Sequence, residues 1–259
     1  MNKQPIGIFD SGVGGTSIWK EVQQLLPNED MIYLADSKNA PYGPKGKAAI
    51  LDLSIKNTDY LINQGCKLIV VACNTATTNA IDYLRLNYNL PFIGIEPAIK
   101  PAALHSKTHT IGILATKGTL SSKLFHKTSL LFASTTNIIE QHGNGIVELI
   151  ESGKLYSDEM KALLSIYLKP MVEADIDYLV LGCTHYPYLI PILIELLPAQ
   201  IKIIDSGEAV AKQTKHVLVE NNLLNTQHRF GQTEFFTNTN PEVMKALLGH
   251  SQRVSHLDF

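Results

Sequence analysis

The chain has 259 residues, 45% of them hydrophobic, with 22 basic and 24 acidic side chains and a formal net charge of -2. That is enough apolar material for two domains of ordinary size. The charge balance does not suggest a polyanion partner: no Lys/Arg run exceeds two residues, and the arginines are Arg85, Arg229 and Arg253. The start, Met1-Asn2-Lys3-Gln4-Pro5, runs into Ile6-Gly7-Ile8-Phe9 with none of the features of a signal peptide. The longest apolar stretch, Tyr188 to Ile204, is broken by Pro191, Glu195 and Pro198, which argues against a membrane span. A cytoplasmic location is the expectation.

In chain order, Ile6-Phe9 reads as a short strand, followed by a Gly-rich turn and a helix from about Ser17 to Leu26 that Pro27 closes. Met31-Leu34 is a second strand. A helix follows from about Lys45 to Gln64, with Gly65 as its stop. Leu68-Ala72 is continuously apolar, as in a strand buried on both faces. Phe92-Ile95, Thr110-Leu114, Tyr178-Leu181 and Ile201-Ile204 follow the same pattern. Strands separated by helices predict an α/β fold with mainly parallel sheets and right-handed crossovers.

The chain also repeats itself. Ile6-Gly7-Ile8-Phe9-Asp10-Ser11 matches Ile111-Gly112-Ile113-Leu114-Ala115-Thr116, and the stretch from Lys67 through Cys73 to Thr75 matches Asp177 through Cys183 to His185. Two matches in the same order predict two similar lobes related by a pseudo-twofold. Ligands of parallel sheets bind beyond the carboxyl ends of the strands, so Cys73 and Cys183 are expected to face one cleft between the lobes.

The weaker motifs favour bland readings. Gly12-x-Gly14 after a strand invites a dinucleotide, with Asp36 as the acidic residue further on, but Ser17 stands where the third Gly belongs and Asp10 would oppose a pyrophosphate. Gly46-Lys47 is followed by Ala48, so there is no P-loop. His105-x-x-x-His109 has metal-ligand spacing but no acidic neighbour, and a solvated loop is the better reading. Asn240-Pro241-Glu242 reads as a helix cap.

Three cysteines, Cys66, Cys73 and Cys183, do not make a disulfide framework. Cys66 fits an inert core position. Cys73-Asn74-Thr75-Ala76-Thr77 and Cys183-Thr184-His185-Tyr186-Pro187 each close a strand and open a helical segment. A helix N-terminus or a neighbouring imidazolium lowers a thiol pKa, and the backbone N–H groups there hold carboxylates.

These motifs identify a resemblance. With Asp10-Ser11-Gly12-Val13-Gly14-Gly15, Asp36 to Pro41-Tyr42-Gly43, and the two Cys motifs in this order, the chain resembles the glutamate racemases, cofactor-independent members of the aspartate/glutamate racemase superfamily, from about Ile6 to about Asp205. The resemblance implies that Cys183 takes the proton from L-glutamate and Cys73 from D-glutamate, assisted by His185 and Asp10 respectively. It implies that Asp10, Ser11, Tyr42, Gly43, Asn74, Thr75, Thr184 and His185 meet the substrate, with Thr116 and Thr119 as further candidates. An acidic residue near mid-chain also takes part in some members; Glu151 is the first choice and Glu148 the rival. No cofactor or metal is implied, the partner is glutamate rather than nucleic acid or membrane, and a homodimer is left open. The implied role is supply of D-glutamate for peptidoglycan. The resemblance and the repeat together predict lobes exchanged along the chain: residues 1–96 plus 208–259 in one, 97–207 in the other.

Three rival readings stand beside this. An aspartate racemase shares the plan, but an acidic residue is expected after the second Cys-Thr, where this chain has His185. A hydrolase with Cys73 as nucleophile leaves Cys183 idle. A small-anion binding protein does not explain two reactive-looking thiols.

Overall fold

The structure is a computed structural model that describes residues 3–227, 229–249 and 252–259. Among the described residues ten strands fall into two sheets, and every pairing is parallel. The first sheet holds β1 (Ile6–Asp10), β2 (Met31–Ala35), β3 (Leu68–Val71) and β4 (Phe92–Gly94), joined by β9 (Thr233–Thr237) and β10 (Val254–His256), in the order β10-β9-β2-β1-β3-β4. The second holds β5 (Thr110–Ala115), β6 (Asn137–His142), β7 (Tyr178–Gly182) and β8 (Lys202–Ile204), in the order β6-β5-β7-β8.

The repeat seen in the sequence is a repeat of topology. The order β2-β1-β3-β4 in one sheet is the order β6-β5-β7-β8 in the other. β1 and β5, the first matched pair, are central strands; β3 and β7, which lead into the two Cys motifs, lie beside them. The first sheet differs by the two strands that the end of the chain adds beyond β2.

Helices cover the sheets, so β1, β2 and β3 are buried at every residue, which is why their sequences are apolar runs, broken in β1 only by Asp10 at its cleft end. Alternation still decides where each side chain goes. Ile6, Ile8, Val70, Leu114, Leu179 and Leu181 point into one apolar cluster shared by both sheets. Phe9, Ile69 and Val71 point to a cluster on the far face of the first sheet, and Ile111, Ile113 and Val180 to one on the far face of the second. Each such side chain contributes roughly 1.5–3 kcal/mol on burial. The shared cluster brings the two sets of strand ends to one cleft.

Three strands had no clear signal. β6 is an edge strand with an intermediate-to-exposed burial pattern and the polar sequence Asn137-Ile138-Ile139-Glu140-Gln141-His142. β10 is a three-residue edge strand, and β9 alternates buried with partly exposed positions. His105 ends the helix Ile99–His105, and exposed His109 sits in the turn before β5 with φ 55. The helix expected after Asn240 spans Glu242–Leu248, and Asn240 Oδ1 accepts from the Glu242 N–H at 3.0 Å. No helix among the described residues is long and apolar enough to cross a membrane.

Candidate active site

Both Cys motifs reach the same cavity between the sheets. Cys73 and Cys183 line it together with Ser11, Tyr42, Gly43, Asn74, Thr75, Thr116, Thr184 and His185. Its free volume is about 10 Å³, room for roughly one water molecule. The two lobes are therefore closed on one another here. Cys66 lies apart, between the helix Lys47–Asn63 and β3, at the opposite end of that strand, and burial pushes its thiol up to about 12.

Cys73 follows β3 and is the N-cap of the helix Asn74–Asn87, its Sγ accepting from the Ala76 N–H at 3.4 Å. Ser11 Oγ lies 3.5 Å from the same sulfur. These contacts pull the thiol pKa down, as the sequence suggests. Burial outweighs them, the Asp10 carboxylate adds to burial, and the Cys73 thiol sits well above its ordinary value. The lowering expected from the helix terminus is therefore present at this site but outweighed by burial. Asp10, at the end of β1, is itself raised, first by burial, with His185 and the Gly15 N–H acting in the other direction. Its Oδ2 accepts from Gly15 N at 2.8 Å and from Thr184 Oγ1 at 3.3 Å, so it touches the second Cys motif too.

Cys183 follows β7. The segment after it is a 3₁₀ turn, Tyr186–Leu189, followed by the short helix Ile190–Leu196, so the sulfur does not cap an α-helix as Cys73 does. Its partner is His185, whose Nδ1 stands 3.8 Å from Cys183 Sγ. His185 Nε2 stands 2.6 Å from Glu151 Oε1 and 3.2 Å from the Gly14 N–H. One nitrogen cannot donate to Glu151 and accept from Gly14, and the shorter, charge-assisted contact assigns the proton to Nε2. Burial alone would lower the imidazole pKa; hydrogen bonds to Cys183 and Glu151 reverse this and hold His185 well above its ordinary value. Of the two mid-chain candidates, Glu151 is the one joined to His185. Glu148 instead lines a neighbouring cavity of about 240 Å³ that shares Val147 with the first.

The remaining candidates divide by what their polar atoms do. Asn74 is buried and lines the cavity, and neither its Oδ1 nor its Nδ2 has a protein partner, so both are available to a ligand. Thr75, Thr116 and Thr119 form a hydroxyl cluster across the lobes, with Thr75 Oγ1 to Thr116 Oγ1 at 2.8 Å and Thr116 Oγ1 to Thr119 Oγ1 at 3.1 Å. Thr119 is fully buried behind Thr116. Tyr42 turns its hydroxyl away, donating to Asp36 Oδ2 at 2.6 Å, so it offers the cavity its ring and main chain.

Residues 13–214 match the Asp/Glu/hydantoin racemase family. The chain is 43% identical over 241 residues to the glutamate racemase of Herpetosiphon aurantiacus, covering 93% of this chain and 95% of that one. It belongs to the glutamate racemases of this family. Two solved relatives carry the enantiomers of glutamate. The Escherichia coli enzyme in complex with L-glutamate and the activator UDP-MurNAc-ala has a TM-score of 0.85 at 32% identity, covering 98% of both chains. The Francisella tularensis enzyme in complex with D-glutamate has a TM-score of 0.84 at 29% identity, covering 100% of this chain and 98% of that one.

In this glutamate racemase the Gly-rich turn after β1 has a use unrelated to nucleotides. A Cβ on Gly12 would lie 1.8 Å from Glu151 Oε1, and one on Gly14 would lie 2.2 Å from His185 Nδ1. The glycines leave room for the second lobe's acid–base pair to press against the first lobe's backbone. Glu151 Oε1 also accepts from the Val13 N–H at 2.7 Å, and its Oε2 from Ser37 Oγ at 2.8 Å. Val13, Ser37 and Val147 were not singled out from the sequence: Val13 acts through its backbone, and a Ser or Val carries no spacing signal.

Proposed function

We propose that this chain interconverts L- and D-glutamate by a two-base mechanism in which Cys73 and Cys183 act on opposite faces of the α-carbon. The observation that carries the reading is that the two thiols, from equivalent strand ends of two sheets, line one small cavity with unpartnered Asn74 beside them. The glutamate complexes of the relatives support the substrate.

The Cys183 thiolate, beside the His185 imidazolium, takes the α-proton of L-glutamate. The Cys73 thiol, kept protonated by burial and Asp10, delivers its own proton to the opposite face. The enzyme is left with Cys183 protonated and Cys73 as thiolate, ready for the reverse reaction. Positioned acid–base groups typically contribute about 10²–10⁴-fold. Hydrogen bonds from Asn74 and the threonine hydroxyls to the substrate carboxylates stabilise the charge that develops. Asp10 and His185 set the protonation of the thiols, and Glu151 holds His185 in its doubly protonated form.

The reading includes supply of D-glutamate for peptidoglycan in the cytoplasm. It also includes a division into residues 1–96 plus 208–259 and residues 97–207, which the return of β9 and β10 to the first sheet supports. Monomer and homodimer are equally compatible with it, and sedimentation velocity distinguishes them. Incubation with each enantiomer and chiral analysis tests the activity itself. Both reactions should proceed without added pyridoxal phosphate, metal or nucleotide. Activity lost on dialysis and restored by pyridoxal phosphate would sink the reading.

A further inference from the structure

The structure assigns to Asp36 and Asn238 the part of positioning residues that set the substrate-facing turn Pro41-Tyr42-Gly43, an inference that rests on the glutamate reading of the same site. Asp36 follows β2 and is fully buried. Its Oδ2 accepts from the Tyr42 hydroxyl at 2.6 Å, and its Oδ1 accepts from Asn39 Nδ2 at 2.8 Å and Asn238 Nδ2 at 2.6 Å. Asn238 comes from the far end of the chain, just after β9. Its Oδ1 accepts from the Lys38 N–H at 2.8 Å, so one side chain fixes both the Asp36 carboxylate and the backbone of the 3₁₀ turn Ser37–Asn39.

The consequences reach the cavity by two routes. Through Tyr42, whose hydroxyl Asn57 Nδ2 also meets at 3.2 Å, Asp36 anchors the turn that lines the cavity together with Asn74 and Thr116. That turn has no slack, since a Cβ on Gly43 would lie 3.1 Å from Thr116 Cβ of the other lobe. Through Ser37, the same 3₁₀ turn holds Glu151 Oε2 at 2.8 Å, and Glu151 holds His185. A tail residue with no contact to the cavity therefore governs where the binding turn sits, with the buried carboxylate as the link. Bonds to a charged acceptor are the ones whose loss is felt, at about 1.5–3 kcal/mol each, or roughly tenfold and more.

The test compares the wild type with Asn238→Ala, Tyr42→Phe and the double variant, in both directions, with a thermal melt on each. Because L- and D-glutamate are mirror images of equal free energy, kcat/KM must fall equally in both directions in every variant. The inference concerns how that fall divides. Asn238→Ala should raise KM about tenfold, with a smaller fall in kcat through Ser37 and Glu151. Tyr42→Phe should raise KM alike with kcat nearly unchanged, and in the double variant KM should be little higher than in either single one, because both act on the binding turn through Asp36. Wild-type KM in Asn238→Ala, a loss confined to kcat, or multiplicative effects in the double variant would overturn the inference. Should Asn238→Ala fail to fold, Tyr42→Phe decides alone, and wild-type KM there overturns it. A wild type inactive on both enantiomers is the failure of the functional reading instead, and is seen in the same assay.

Discussion

His185 and Glu151 meet through Nε2 and Oε1 at 2.6 Å, and the contact joins an imidazole that is 1% exposed to a carboxylate that is 13% exposed. The same carboxylate is bound by Val13 and Ser37 of the other lobe, so one acidic group both helps to raise the pKa of His185, alongside Cys183, and ties the two lobes together. Removing only its charge separates these duties. Glu151→Gln keeps the size and one acceptor oxygen. Burial then acts on His185 with less opposition, and its pKa should fall, as an NMR titration of the ring will show. The kcat should drop by about 10–100-fold, the worth of a charge-assisted bond. An unchanged His185 titration would mean that Glu151 is a latch alone.

The Cys73 thiol is pushed above its ordinary value of 9.0 by burial first and the Asp10 carboxylate second. A raised thiol pKa means the neutral form persists through neutral pH and yields only as pH rises past the ordinary value. Alkylation of Cys73 by iodoacetamide, followed by peptide mass, should therefore keep rising beyond pH 9.0 without a plateau. In Asp10→Asn the curve should shift toward lower pH, since the like-charged neighbour is gone. A plateau near neutral pH in the wild type would contradict this assignment.

Legibility in the sequence followed burial and backbone. The strands buried at all or nearly all residues, β1, β3 and β5, announced themselves as apolar runs, and because β1/β5 and β3/β7 carry matching sequences, the doubled topology was readable as well. Edge strand β6 and the short β10 bury one face at most and carry too few apolar residues for any pattern. At the site, the two cysteines, Asp10, His185 and Asn74 stood in strand-end motifs and could be named. Ser37, Val13 and Asn238 act through geometry that only the fold creates: Asn238 meets Asp36 across 202 positions of sequence. The net pKa of Cys73 was misread for the same reason. The helix terminus is visible in sequence, whereas complete burial beside Asp10 is not.

A stability prediction concerns the other end of the first sheet. Lys67 Nζ and Glu29 Oε2 pair at 2.6 Å with side chains 1% and 2% exposed, and Glu29 Oε1 accepts from the Asn225 N–H at 2.7 Å. The pair lies just before β3 and β2 begin, away from the strand ends that carry the thiols. Lys67→Met leaves Glu29 buried without its countercharge, which costs about 3–5 kcal/mol. Urea denaturation should show that loss, while kcat of the folded fraction stays at the wild-type level. A lowered kcat with unchanged stability would place Lys67 in a different role.

The two thiols can be told apart by isotope. In deuterated water, wild-type enzyme started with L-glutamate should place deuterium in the D-product early, while residual L-substrate stays protonated. Two separate donors on opposite faces require that pattern; a single shared base would return label to both enantiomers. Cys73→Ala and Cys183→Ala should each abolish racemisation, yet each should keep one half-reaction. Cys73→Ala retains Cys183 beside the His185 imidazolium and should still open the C–H bond of the L-enantiomer. Cys183→Ala retains Cys73 and should open that of the D-enantiomer. Elimination from a β-substituted glutamate analogue reports these steps without needing the second proton transfer. Cys66→Ala should leave turnover nearly intact, because that thiol, pushed up to about 12, sits at the wrong end of β3 for the cleft. Racemisation that needs Cys66 but tolerates loss of Cys73 or Cys183 would remove the basis of the two-base assignment.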